Sequence, residues 1–166
     1  MKIRTDFVTN SSSSSFVVAF DSIPETADEL KEFLFRNGEQ FICNPYDKGG
    51  FSTDDIAKYL FVDLKESTEE ELKETFTRLV HQEDYDLPEK ERLFDFPIGD
   101  IPKDFWENYH KLSDKLANKR VKQYLKKHPN KKICVFEVRD DSIIGCTIEH
   151  GGDVFDSVEH IKISNH

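Results

Sequence analysis

Apolar positions along this chain follow two periods, and the change between them divides it. Phe16-Val17-Val18-Ala19-Phe20 is a short continuous run of β-formers and predicts a buried strand. Ile3 to Val8 reads as a weaker strand. Thr9 to Ser14 reads as the connection, because Ser and Asn hydrogen-bond their own backbone and favour turns or mobile loops. Helical spacing comes next. Ser22-Ile-Pro-Glu25 has the form of a capping box ahead of Ala27, Leu30, Phe33 and Leu34, with Asn37-Gly38 as the stop. Phe41-Ile42-Cys43 reads as a strand, and Asn44-Pro45 through Gly49-Gly50 as a loop. Ser52 or Thr53 caps a second helix with the stripe Ile56, Ala57, Leu60, Phe61, Leu64. Ser67-Thr-Glu-Glu70 heads a third, with Leu72, Phe76, Leu79 and Val80 inward.

Prolines 88, 97 and 102 mark an irregular stretch with one short helix near 89–94, and Pro102 opens the longest helix. Its stripe runs Phe105, Tyr109, Leu112, Leu116, then Val121, Tyr124 and Leu125, until His128-Pro129-Asn130 stops it. After Lys132 the period falls to two. Cys134, Phe136 and Val138 alternate with Ile133, Val135 and Glu137, Asp140-Asp141-Ser142 reads as a turn, and 143–149 as the returning strand. A last strand is expected at 158–163.

These elements predict an α+β fold, with helices packed on one face of a small, mostly antiparallel sheet that ends in a C-terminal β-meander. The sheet comprises 16–20, 132–139, 143–149 and 158–163. Residues 1–166 form one domain, of which 1–15 are expected to be mobile or weakly ordered. The expected core holds Phe16, Val18, Phe20, Leu30, Phe33, Leu60, Leu72, Phe76, Trp106, Leu112, Leu116, Phe136 and Ile148. Leu, Ile, Val and Phe supply 47 of 166 residues, above the ~20% level below which charged chains stay unfolded. No apolar run reaches the ~18 residues of a membrane span, and Met1 to Val8 lacks the apolar centre of a secretory signal. A soluble, cytoplasmic protein with no membrane partner is the expectation. Three cysteines without C-x-x-C spacing fit a reducing compartment. Cys134 and Cys146 are expected as reduced, buried thiols. In one register of the final hairpin they stand opposite each other, and in another Cys134 faces Ile148.

Met1 to Phe16 resembles an N-terminal signature, roughly FV-T/S-N-SSSSSF, found at the start of many proteins of bacteria and their phages. The resemblance covers about a tenth of the chain and implies a bacterial or mobile-element setting, with no particular activity attached.

Charge is unevenly placed. The net charge is −10, but residues 111–132 carry nine basic residues against Asp114 alone. Within them Lys111, Lys115, Lys119, Lys122 and Lys126 step at helical spacing, a stripe that could track a phosphate backbone. Cations near a helix C-terminus also complement its dipole, and a solvated or intramolecular role is the plainer reading. The acidic body offers Asp54, Asp55, Glu69, Glu70, Glu71, Glu74, Glu83, Asp84 and Asp86 as a surface for a basic partner, although acids at helix N-termini also suit the dipole. His150, His160 and His166 concentrate near Glu149, Asp153 and Glu159 and are candidate zinc or manganese ligands, though their spacing fits no metal motif. The polyserine run lacks the Gly-rich turn and Lys of a phosphate loop, and no G-x-S-x-G or Cys-His signature is present. No catalytic residue, functional metal or cofactor is assigned. The leading expectation is a non-enzymatic interaction protein that binds a protein partner with a basic surface. Its concrete form is an inhibitor of a host or defence nucleic-acid enzyme, in the manner of an anti-CRISPR protein. The rivals are a nucleic-acid binder using the lysine stripe and a metal-dependent hydrolase using the tail histidines.

Overall fold

A computed structural model of the chain describes residues 13–36, 38–44, 49–86, 92, 104–151 and 154–164. The strand expected at 3–8, the helix near 89–94, Pro102, Asp153 and His166 lie outside them.

The fold is α+β. Strand β1 (Ser13–Phe20) is central in a three-stranded sheet, flanked by β4 (Lys132–Arg139) and β5 (His160–Ser164), both antiparallel to it. The run 16–20 is continuously apolar because both faces of this strand are covered. Phe16, Val18 and Phe20, with Cys134, Phe136 and Val138 of β4, pack among the core residues of three helices. These are α1 (Ala27–Leu34), α2 (Thr53–Phe61) and α5 (Ile143–His150), which contribute Leu30, Leu34, Ile56, Leu60 and Ile148. Val17, Ile133 and Ile163 point the other way, onto Leu72 and Phe76 of α3 (Glu69–Tyr85) and Ala117, Val121 and Tyr124 of α4 (Phe105–Lys127). Helices therefore cover both sheet faces, where one-sided packing was expected. The short strands β2 (Phe41–Cys43) and β3 (Gly50–Ser52) form a separate antiparallel pair. Gly50 is needed there, since a Cβ would lie 2.2 Å from the Ile42 carbonyl oxygen.

The second correction concerns 143–149. This segment is helix α5, so the chain has no C-terminal meander and Cys134 has no cross-strand partner in Cys146. All three cysteines are free. Ser142 caps the helix, accepting from the Gly145 N–H at 3.1 Å, and Gly145 lets the first turn close onto β4. Ile144 and Ile148 satisfy a period of two and a helical i, i+4 spacing alike, so the pattern alone is ambiguous over eight residues.

Smaller shifts have local causes. The first helix begins at Thr26, whose hydroxyl accepts from the Glu29 N–H, and not at the Ser22 box; Gly38, just past its end, has φ 78°. The third begins one residue late, with a capping box between Thr68 and Glu71. Ser67 is diverted to the sheet. Its N–H donates to the Ile133 carbonyl at 2.8 Å, and its hydroxyl accepts from the Val135 N–H at 3.0 Å. The serine run also changes role, since Ser13 to Ser15 belong to β1 and Ser14 and Ser15 are buried. On α4 the buried line is Ser113, Ala117, Val121 and Tyr124. The small residues at 113 and 117 bring the helix close to its neighbours. Leu112 and Leu116 are left half-buried at its flanks, and Trp106 is exposed. No helix among the described residues is long and apolar enough to cross a membrane.

Candidate functional site

The nine acidic candidates do not make one surface. Asp54 and Asp55 head α2 on one side of the sheet, whereas the other seven belong to α3 or its C-cap on the opposite side. Several are engaged within the protein. Asp54 accepts from Lys31 at 2.9 Å, which holds its carboxyl below the usual range. Asp55 accepts from the Ser52 hydroxyl at 2.6 Å. Glu71 closes its capping box and takes the Lys65 ammonium at 2.6 Å. Lys65 first, and then Thr68, pull the Glu71 carboxyl down to about 2. Glu83 pairs with Arg120 at 2.7 Å, Asp84 is buried, and Asp86 is the C-cap of α3. Glu69, Glu70 and Glu74 are exposed, with no ion pair among the described residues.

Glu71 and Glu74 share a groove that the strand order creates. Because β4 lies at the sheet edge, its outward backbone groups belong to alternate residues. The Ile133 carbonyl and Val135 N–H are satisfied by Ser67. The next outward groups, the Val135 carbonyl and the Glu137 N–H and carbonyl, have no hydrogen bond among the described residues. Beside them runs a groove of about 530 Å³. The end of α2 and the chain beyond it form one wall through Tyr59, Val62 and Leu64, and α3 forms the other through Glu74, Thr75 and Arg78. Four carboxylates line it (Asp63, Glu71, Glu74, Glu137) against two cations (Lys65, Arg78). Arg78 reaches Glu137 at 2.5 Å, so both cations are already engaged with groove carboxylates. Val62, 80% exposed, stands apolar at the rim. Sequence reasoning named Glu71 and Glu74 but missed Asp63 and Glu137, because only the strand order places β4 at the sheet edge among the described residues.

The lysine stripe is on the outer face of α4. Lys111, Lys115, Lys119, Lys122 and Lys126 are all exposed and line one shallow concavity.

Among the described residues, His150 joins a cluster of possible ligands with Asp140 and Glu149, whose ligand atoms lie within 4.8 Å of one another. Glu149 is 1% exposed; its carboxylate accepts from the Ser14 hydroxyl at 2.9 Å and faces His150 Nε2 at 3.8 Å. Two carboxylates and an imidazole are donor types that bind zinc or manganese. Here the Ser14 hydroxyl also compensates the buried carboxyl within the protein. His160 is elsewhere, with Nδ1 3.1 Å from the Val158 carbonyl and its ring beside Phe16 and Phe155. Sequence reasoning missed Asp140 and Ser14, because it placed Asp140 in a hairpin turn and Ser14 in the 9–14 connection.

Comparison with known proteins finds no matching family model, no matching curated protein and no matching solved structure.

Proposed function

We propose that this protein is an interaction module that takes up an extended, basic segment of a partner protein as an added strand along the free edge of β4. The observation that carries the reading is the coincidence of outward backbone groups at 135–137, unpaired among the described residues, with a flanking groove rich in carboxylates. Added strands draw affinity from main-chain hydrogen bonds and specificity from pockets for alternate side chains. Ser67 already occupies the first two bonding positions as a strand residue would. Tyr59, Val62 and Leu64 offer the apolar anchoring that opposite charge alone does not supply. A second copy adding its own β4 antiparallel about Glu137 would set two Glu137 carboxylates opposite each other, which is unfavourable. Nucleic-acid enzymes carry basic surfaces of the required kind. An inhibitor of such an enzyme, in a bacterial or phage setting, is the biological form this reading takes.

The test uses fluorescein-labelled octapeptides alternating Val or Ile with Lys or Arg, titrated by anisotropy against the full chain. Saturable binding is expected, weakened about tenfold or more by Asp63→Lys with Glu74→Lys. Glu137→Pro removes the outward N–H from an edge strand, where proline is tolerated, and should abolish binding, whereas Glu137→Gln retains most of it. Equal binding to the wild type and Glu137→Pro, or no saturable binding up to about 1 mM peptide, overturns the proposal.

A further inference from the structure

Cations elsewhere on this protein are widely matched with carboxylates of other elements. Lys31 pairs with Asp54, Lys65 with Glu71, Arg120 with Glu83, Lys131 with Asp21 and Lys132 with Glu66. The outer face of α4 is different. Lys115, Lys119, Lys122 and Lys126 have no ion pair among the described residues, although the chain holds 33 acidic residues against 23 basic ones. Among the described residues Lys111 meets only Glu107 on its own helix, with both side chains about 70% exposed. Asp114, the acid within the stripe, is drawn to Lys73 of α3 at 3.2 Å. The helix dipole acts within the last turn, so it accounts for Lys126 and not for Lys111, Lys115 or Lys119.

We infer that this face is a second binding surface, independent of the groove, which holds the phosphate backbone of duplex nucleic acid without reading its sequence. Fifteen residues at 1.5 Å per residue carry the lysines along about 22 Å of straight helix, a run of regularly spaced donors for successive phosphates. The face carries no aromatic residue on which an unpaired base could stack, which favours a duplex over a single strand. It does not suit a bilayer, because the apolar side of α4 is buried against α3 and the sheet and cannot enter lipid. Lysine is depleted at protein interfaces, whereas phosphate contacts dominate nucleic-acid affinity.

The experiment is anisotropy of a labelled 20-base-pair duplex with the full chain between about 20 and 150 mM salt. Log affinity should fall against log salt with a slope near about −4, as four to five phosphate contacts require. Lys115→Gln with Lys119→Gln and Lys122→Gln should reduce the slope by about three and weaken binding at least tenfold, with circular dichroism unchanged. Lys131→Gln with Lys132→Gln, which alters paired lysines, should bind like the wild type. A triple variant that binds like the wild type overturns the inference. So does binding of phosphatidylserine vesicles or an acidic polypeptide in preference to the duplex. Asp63→Lys with Glu74→Lys should not weaken duplex binding, so failure of the groove and failure of the lysine face are read separately.

Discussion

The Ser14 hydroxyl donates to the Glu149 carboxylate at 2.9 Å, joining residues 135 positions apart at the junction of β1 and α5. The bond gives one member of the serine run a structural task. It also ties the central strand to the helix that replaces the expected fourth strand of the sheet. Nearby, the Lys162 ammonium donates to the Glu149 carbonyl at 2.7 Å, so β5 is bound to the same helix.

Adjacent serines should therefore respond in opposite ways to the same change. Ser14→Ala removes a donor from a buried carboxylate and should cost about 1.5–3 kcal/mol. Ser15→Ala removes a buried hydroxyl with no hydrogen-bond partner among the described residues, and should be neutral or slightly stabilising. Urea unfolding of the two variants beside the wild type checks both. Equal losses would mean that the Ser14–Glu149 bond contributes nothing specific.

Gly145→Ala tests how closely α5 sits on β4. A Cβ at this position would lie 1.9 Å from the Arg139 carbonyl oxygen, a backbone atom that cannot rotate away. Alanine is the better helix former by about 1 kcal/mol. Overpacking by about 1–3 kcal/mol should still prevail, giving a net loss of stability. A thermal midpoint at or above that of the wild type would show that the helix can move outward.

The start of α3 should be sensitive to acid. Glu71 is held at about 2 in the folded state, from an ordinary value of 4.5, by Lys65 and Thr68. Its folded-state value is depressed, so its contribution is fully present above about pH 4.5. It is lost as the pH falls towards 2. Glu71→Gln should therefore lower the thermal midpoint at pH 7, and the difference from the wild type should close by about pH 2. A difference that stays constant across this window would remove the charge of Glu71 from the explanation.

Thiol reactivity should rank by environment. Cys43 is exposed and should react first with an aromatic disulfide reagent. Cys146 is half-buried and its thiol is pushed upward by burial, which makes it slower. Cys134, on β4, is buried among core residues of β1, α1 and α2, and burial pushes its thiol up to about 12, so it should react only on unfolding. One fast and one slower thiol in native Cys134→Ser, and no fast thiol in Cys43→Ser, would match this order; rapid modification of Cys134 in the wild type would contradict it.

Much of the secondary structure was legible because its causes are local. The run at 16–20, the alternation at 132–139, the Ser52 cap and the apolar stripe of the second helix each depend on neighbours a few residues away. The lysine stripe was legible for the same reason, since helical spacing alone sets five side chains on one face. Tertiary structure decided the rest. Ile143 to His150 could satisfy either period, and its helix is fixed by the Ser142 cap, the close approach of Gly145 to β4, and Glu149 meeting Ser14. The order β4-β1-β5 arises from pairing across more than a hundred residues. It alone determines that both sheet faces are covered, that β4 is an edge strand among the described residues, and that Asp63, Glu71, Glu74 and Glu137 gather beside it. Local periodicity carries no information about such partners, because the free energy that selects them comes from burying surfaces that are distant in the chain.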